Sequence, residues 1–235
     1  MKNTELWVQR RFFKNKKGRF TGPHMQRLIG PVYEQAIKEF CHGKLADLGC
    51  GDVPYYIFYK NLVSEITCVD WKNSMHNISY CDIETDLNND LPLEDSYFDT
   101  VLASDVLEHI HEPKKFISEI ARILKPEGYL ILGVPFMYWI HENHDYHRYT
   151  KQMLEMFCKK NGLKVIRIDI YGGLPEILYD LMHKGYAYYG FKGRRIYYFF
   201  LESIGKFLSR RKWVRRLSNK SKDVFPLGYV LVAQK

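Results

Sequence analysis

An open, mostly parallel α/β sheet covered by helices on both faces is the fold class the sequence predicts, on three observations. Residues 45–52, Leu-Ala-Asp-Leu-Gly-Cys-Gly-Asp, form an apolar run ending in two glycines, as in a strand that enters a ligand-binding turn. Further apolar runs alternate with helical patterns along the chain, which is what parallel strands joined by crossover helices require. Asp70 closes the second apolar run, about twenty residues past the glycines, and is placed there to accept hydrogen bonds from ribose hydroxyls.

Each element follows in order. Gly49 and Gly51 suit a tight turn whose φ values other residues resist and whose backbone must approach a ligand closely. The third glycine of a dinucleotide fingerprint would fall at Pro54, and no Gly-Lys-Ser/Thr ending follows, so NAD and the nucleoside triphosphates are disfavoured. A helix is expected over 54–63 and a second strand from Glu65 to Val69. Residues 113–124 are the clearest helix, with Pro113 early, one stripe of Phe116, Ile117, Ile120, Ile123 and Leu124, and Pro126 with Gly128 as the stop. A strand from Tyr129 to Val134 comes next. Thr150 is placed to cap a helix that runs to about Lys160 and stops at Asn161-Gly162. Leu163–Ile170 and Gly228–Ala233 read as the last two strands.

Four blocks in this order resemble the class I, seven-strand S-adenosylmethionine-dependent methyltransferases, over about residues 44–170 and the last strand. They are the glycine turn with Asp47, Asp70 after the second strand, Phe98–His109, and Ala121–Leu132, with Asp82, in Tyr80-Cys81-Asp82-Ile83, as the acid after the third strand. Any one acid fits an ordinary strand end or turn; order and spacing carry the resemblance. It implies a doubly wound, seven-stranded sheet, mostly parallel, with an antiparallel last strand; before that strand this chain carries a helical insertion where members of the family usually have a short connection. It also implies S-adenosylmethionine as cofactor, with S-adenosylhomocysteine as product. The cofactor site it implies comprises Asp47, Gly49, Cys50, Gly51, Asp70, Trp71, Asp82, Ile83, Ser104, Asp105 and His109. In such a site the turn faces the methionine part, Asp70 the ribose, and Asp82 with Ile83 the adenine.

The 235 residues lie within reach of one domain. It divides into an N-terminal arm or lid (1–43), a cofactor-binding core (44–170), an insertion (171–223) and a last strand (224–235). No apolar run approaches the roughly twenty residues that cross a bilayer, and the first residues lack a signal peptide's apolar stretch. The five cysteines are scattered, without C-x-x-C spacing, which argues against disulfides or a zinc site and for a reducing cytoplasm.

Charge is segregated within the net +8. Residues 1–27 hold eight Lys/Arg and one acid, residues 184–222 hold twelve and one, and residues 28–183 hold fourteen basic groups and twenty-four acids. An insertion of this length needs a reason. It is aromatic as well as basic, with Tyr186, Tyr188, Tyr189, Phe191, Tyr197, Tyr198, Phe199 and Phe200 ahead of Arg210-Arg211-Lys212-Trp213-Val214-Arg215-Arg216. Tyr197, Phe200, Leu201, Ile204 and Leu208 fall on one helical stripe. Three readings stand: a solvated basic face on a helix packed over the pocket, contact with a membrane surface, and contact with phosphates of a nucleic acid or nucleotide-linked substrate.

The loop after the fifth strand, residues 135–150, should border the pocket, since ligands of open α/β sheets sit beyond the strands' carboxyl ends. It holds His141, His144 and His147 among aromatic residues. The loop resembles those of methyltransferases of bacterial surface-polysaccharide biosynthesis, which implies a small acceptor with a hydroxyl, sugar or phosphorylated. For a hydroxyl acceptor, His144 is the first candidate base, with His141, His147 and Asp105 behind it. No metal is expected, because the histidine spacing matches no strong motif. A nucleic-acid methyltransferase is the main rival reading. Against it, Ala103-Ser104-Asp105-Val106 stands where base N-methylation would show Asn/Asp-Pro-Pro-Tyr/Phe. A lid role for Arg11 to Arg27 is a further expectation.

Overall fold

The computed structural model describes residues 23–72, 80–141, 143–189 and 194–235. Residues 1–22 of the basic arm, and with them most of the expected lid, lie outside these, as do Phe191 and the side chains of Tyr186, Tyr188, Tyr189, Tyr198 and Leu208.

In chain order the elements are α1 (Pro23–Phe40), β1 (Gly43–Leu48), α2 (Tyr56–Tyr59), β2 (Val63–Asp70), β3 (Ile83–Glu84), β4 (Phe98–Ser104), α3 (Pro113–Ile123), β5 (Leu124–Pro135), α4 (Lys151–Lys160), β6 (Lys164–Tyr171), α5 (Leu174–Tyr189), α6 (Arg194–Ser209), α7 (Lys212–Ser221) and β7 (Gly228–Gln234). The seven strands lie in the order β3-β2-β1-β4-β5-β7-β6. All pairings are parallel except those of β7, which runs antiparallel to β5 and β6. This is the expected fold class.

Alternation along each strand divides two cores. Ala46, Val101, Ala103, Leu130, Leu132 and Leu231 face Phe116, Ile117 and Ile120 of α3 and Leu154 and Phe157 of α4. Leu45, Leu102, Ile131, Val230 and Val232 face Tyr33, Ala36 and Ile37 of α1, together with Ile177 and Tyr179 of α5 and Leu201 of α6. The insertion therefore covers one face of the sheet beside α1.

Two elements differ from the sequence reading. The helix expected over 54–63 shrinks to Tyr56–Tyr59, because the chain coils through the glycine turn with Val53 at φ 47. α1 was not foreseen as a helix, although Ile29, Tyr33, Ala36, Ile37 and Phe40 recur at helical spacing. Thr150 caps α4 as expected, accepting from Met153 N, and Gly162 (φ 73) follows its end.

Arg122 near the end of α3 fastens the segment ahead of β4. Its guanidinium donates to the carbonyls of Leu91 (3.0 Å) and Leu93 (2.8 Å) and to both Glu119 oxygens, while Glu119 Oε2 accepts from Leu91 N. Arg122→Ala strips two carbonyls of their donor and is expected to cost about 2 kcal/mol, or about 4–8 °C in Tm for a chain of this size. Calorimetric melting checks this. Arg122→Lys should recover only part of the loss, since an ammonium cannot reproduce the guanidinium fork.

Candidate active site

The site is built on the carboxyl ends of β1, β2 and β4. Gly49 N donates to Val69 O at 2.8 Å, which draws the turn after β1 against the end of β2. Asp70 holds it there, since Gly51 N donates to Asp70 Oδ2 (2.7 Å) and Trp71 N to Oδ1 (2.8 Å). Gly49 (φ 70) and Gly51 (φ 49) lie in the left-handed region. A Cβ on Gly49 would stand 2.5 Å from Val106 Cγ2, so the turn presses directly on the residue beyond β4 and its Asp105.

Asp47 sits beneath this turn, 1% exposed. Its Oδ2 accepts from Tyr59 OH at 2.8 Å, and its Oδ1 has no hydrogen-bond partner among the described residues. Burial pushes its pKa up to about 7; the Tyr59 hydrogen bond opposes this and the charge of Asp70 adds to it. A buried acid with one unclaimed oxygen is suited to a cationic ligand group. The residues fit S-adenosylmethionine, whose amino acid end carries an ammonium and which needs no phosphate-binding group.

Asp105 follows β4 with φ 50, its N donating to Gly133 O at 3.0 Å. Its Oδ2 accepts from Tyr33 OH at 3.3 Å, a contact between residues 72 positions apart. Burial raises the Asp105 pKa to about 6, with the Tyr33 hydrogen bond pulling the other way. Tyr33 is itself buried, stacked on Tyr55 at 4.1 Å, and its hydroxyl fills the space a side chain at Gly133 would take.

Beyond Asp105, the short 3-10 turn Leu107–His109 carries Glu108 inward. Burial, and then the charge of Asp105, hold the Glu108 carboxyl well above the usual carboxylate range. Neither of its oxygens has a hydrogen-bond partner among the described residues. His109 Nε2 stands 3.7 Å from Glu108 Oε1, and His109 Nδ1 lies 3.1 Å from His144 O. Ligand-type atoms of Glu108, His109 and His141 lie within 4.8 Å of one another. The sequence reading grouped His141 with His144 and His147; the fold groups it with Glu108 and His109, which approach from the other side of the loop.

Arg148 shapes that loop. It pairs with Asp145 and donates to the carbonyls of Trp139 (2.8 Å) and His147 (2.7 Å), gathering these residues around one guanidinium. Asp145 also stands 3.0 Å from His141 Nδ1. Although burial raises the Asp145 carboxyl, Arg148 outweighs it and keeps it below the usual range. His144 is exposed, with Nδ1 2.9 Å from Tyr146 OH and its ring edge-on to Trp71 at 5.2 Å. It therefore borders the residue after Asp70, whereas His147 lies against Tyr149 (5.4 Å). Lys184 of α5 closes the loop from above, paired with Asp180 and 3.1 Å from the Tyr138 ring centroid. Its burial lowers the Lys184 pKa to about 8 against the pull of Asp180.

The fold thus brings Asp47, Gly49, Cys50, Gly51, Asp70 and Trp71 around one turn, with Ser104 and Asp105 at the neighbouring strand end. Asp82 departs from expectation. It precedes β3 instead of following it, and its Oδ2 accepts from Cys68 N at 2.8 Å, tying the chain ahead of β3 to β2. Ile83 pairs with Val69. Tyr33 and Glu108 were missed as site residues. Glu108 was visible beside His109, but nothing local marks Tyr33.

Residues 46–132 match the protein family described as "Methyltransferase domain". A ubiquinone biosynthesis O-methyltransferase from Bartonella tribocorum is 27% identical over 160 residues, covering 56% of this chain and 64% of that protein. A malonyl-[acyl-carrier protein] O-methyltransferase from Buchnera aphidicola is 26% identical over 115 residues, 46% of each. The chain spans less than two thirds of the length of these curated relatives. Among solved structures, a SAM-dependent methyltransferase from Archaeoglobus fulgidus superposes with a TM-score of 0.57 at 15% identity, over 89% of this chain and 97% of that one.

Proposed function

We propose, on the premise that a class I S-adenosylmethionine-dependent methyltransferase core is what residues 46–132 form, that this chain transfers a methyl group to a hydroxyl of a small acceptor, a sugar or cell-surface-glycan precursor. The observation that carries the reading is a pair of unlike carboxyls on one rim of the sheet. Asp47 has an oxygen to offer a cation in the glycine turn, and Asp105 is raised toward neutrality beside Tyr33. In this proposal Asp47 and the Gly49–Gly51 turn hold the amino acid end of the cofactor, Asp70 the ribose, and Trp71 with Ile83 the adenine end, where Asp82 fixes the backbone through Cys68 N. Ser104 and His109 border it.

When bound, the cofactor supplies a methyl group on a sulfonium, electrophilic without further activation. The chain's task is to hold the acceptor oxygen in line and remove its proton, and positioning supplies most of the rate. Asp105 is the better placed base. It lies beyond β4 with its carboxylate oriented by Tyr33, whereas His144 is exposed and engaged with Tyr146. His141 and His147, fixed by the Arg148 loop, then serve to shape the acceptor side. The mixture of aromatic and polar groups on residues 138–149 suits a sugar ring, and the two curated relatives named as O-methyltransferases support an oxygen acceptor.

Labelled methyl transfer from S-adenosylmethionine into cell extract, separated into small-molecule, lipid-linked and nucleic-acid pools, tests the reading. Label is expected in the small-molecule or lipid-linked pool. Label confined to nucleic acid would replace the proposal with methylation of RNA or DNA.

A further inference from the structure

The helices of the insertion are apolar on two sides. On the inner side, Ile177, Tyr179 and Leu201 pack into the core beside Tyr33, and Gly205 allows Tyr179 to press against α6, where a Cβ would stand 2.5 Å from Tyr179 Cε2. The stripe expected from sequence is split by this packing. Leu201 goes inward, while Phe200 and Ile204 face out and Tyr197 joins α6 to α5 through Met182 O at 3.2 Å.

Among the described residues the outer side is left exposed. Phe200, Ile204 and Phe207 form one stripe at 59%, 50% and 56% exposure, with Phe199 beside them at 70%. On α5, Leu178, Leu181 and Met182 repeat the pattern at i, i+3, i+4, each more than half exposed. On α7, Trp213 and Leu217 are exposed one turn apart while Val214 is buried. A solvated helix would carry polar residues at these positions, and monomers rarely leave contiguous apolar patches beyond a few hundred Å².

Cations flank the same face. Arg210, Arg211, Lys212, Arg215 and Arg216 are all exposed, and the Arg211 guanidinium lies over the Phe207 ring at 4.0 Å. Lys220 on α7 is exposed as well. Among the described residues no helix is long and apolar enough to cross a membrane.

We propose that the outer face of α5, α6 and α7 docks on an anionic lipid surface, with the Phe200–Phe207 stripe inserted at the level of the headgroups and the α7 cations on the lipid phosphates. Apolar area and charge act together in such helices, and each basic residue near an anionic leaflet adds attraction of its own. A nucleic acid would satisfy the cations but offers nothing that buries Leu178, Leu181, Met182 and Ile204. The inference is independent of the reaction proposed above, since it rests on the exposed side of these helices, whereas Lys184 of α5, which meets the acceptor loop, is buried.

The full chain is to be sedimented with vesicles of phosphatidylcholine alone and of phosphatidylcholine with phosphatidylglycerol, at low and high salt. Binding is expected to the anionic vesicles at low salt and to weaken at high salt. Phe200→Ser/Phe207→Ser should lower partitioning at least about tenfold, since it scales with the apolar area inserted. Arg215→Gln/Arg216→Gln should lower it about tenfold or more and remove part of the salt dependence. Both variants should keep the wild-type affinity for S-adenosylhomocysteine, which separates loss of docking from loss of fold. Absence of binding to anionic vesicles at low salt overturns the proposal, as does wild-type binding by the Phe variant. If that variant instead converts a dimer to a monomer while vesicles go unbound, the face is a contact between copies of the chain, and the lipid assignment fails.

Discussion

Asp105→Asn is expected to lower turnover about 10²–10⁴-fold, the range for loss of a general base, while leaving S-adenosylhomocysteine affinity within a few-fold. The change keeps the shape of the side chain and a hydrogen-bond acceptor for Tyr33 OH but removes the basic oxygen. Because burial raises this carboxyl to about 6, the wild-type rate should climb about tenfold per pH unit below that value and level off above it. Stability should move the other way. A carboxyl whose folded pKa is raised binds protons more readily in the folded state, so its charged form weakens the fold above the folded pKa. Asp105→Asn should therefore melt no lower than wild type at neutral pH. A pH–rate profile with calorimetric melting and ligand titration reads all three, and a profile unchanged in the Asn variant would remove Asp105 from the chemistry. His144→Ala, made alongside, is expected to change turnover far less, since its ring is exposed and stands against Trp71.

Asp47→Asn is expected to weaken S-adenosylhomocysteine binding about 10- to 150-fold, the range for a hydrogen bond to a charged group. The wild-type affinity should rise with pH through about 7, as the carboxyl held up by burial loses its proton and can meet an ammonium. That pH dependence should vanish in the Asn variant. Tyr59 keeps an acceptor at this position, so the fold should survive. Isothermal calorimetry across pH decides it. Tight, pH-independent binding by Asp47→Asn would show that the unclaimed oxygen is not where the cofactor's cation sits.

Much of the sheet was legible because its central strands are buried and read as apolar runs with turns at their ends: β1, β2, β6 and β7 fall within a residue or two of their expected limits. β5 is the exception. β5 begins at Leu124, ahead of the expected Tyr129: Leu124 pairs with Phe98, and the register shifts before Tyr129 pairs with Thr100, with Pro126–Gly128 in the irregular stretch between. β3, for which no limits were expected, is two residues long, and Asp82 just ahead of it accepts from Cys68 N. The glycine turn and Asp70 were legible since their chemistry is local. Tyr33 at Asp105, and Glu108 beside His141, come from pairings across the sheet and across the loop, which leave no trace in nearby sequence. Helical spacing in the insertion identified an apolar stripe but not that its two edges serve different surroundings.

The Tyr33 hydroxyl occupies a place only 1.5 Å from where a Cβ on Gly133 would stand. A side chain at 133 and a full tyrosine ring at 33 therefore exclude one another in this fold. A lineage that gains any side chain at 133 must shorten or withdraw the ring at 33 in the same step, and would thereby lose the donor on Asp105. Drift at one residue of the sheet is in this way barred by a residue one hundred positions earlier, and the helix before β1 cannot be exchanged for another without taking its strand-five partner along.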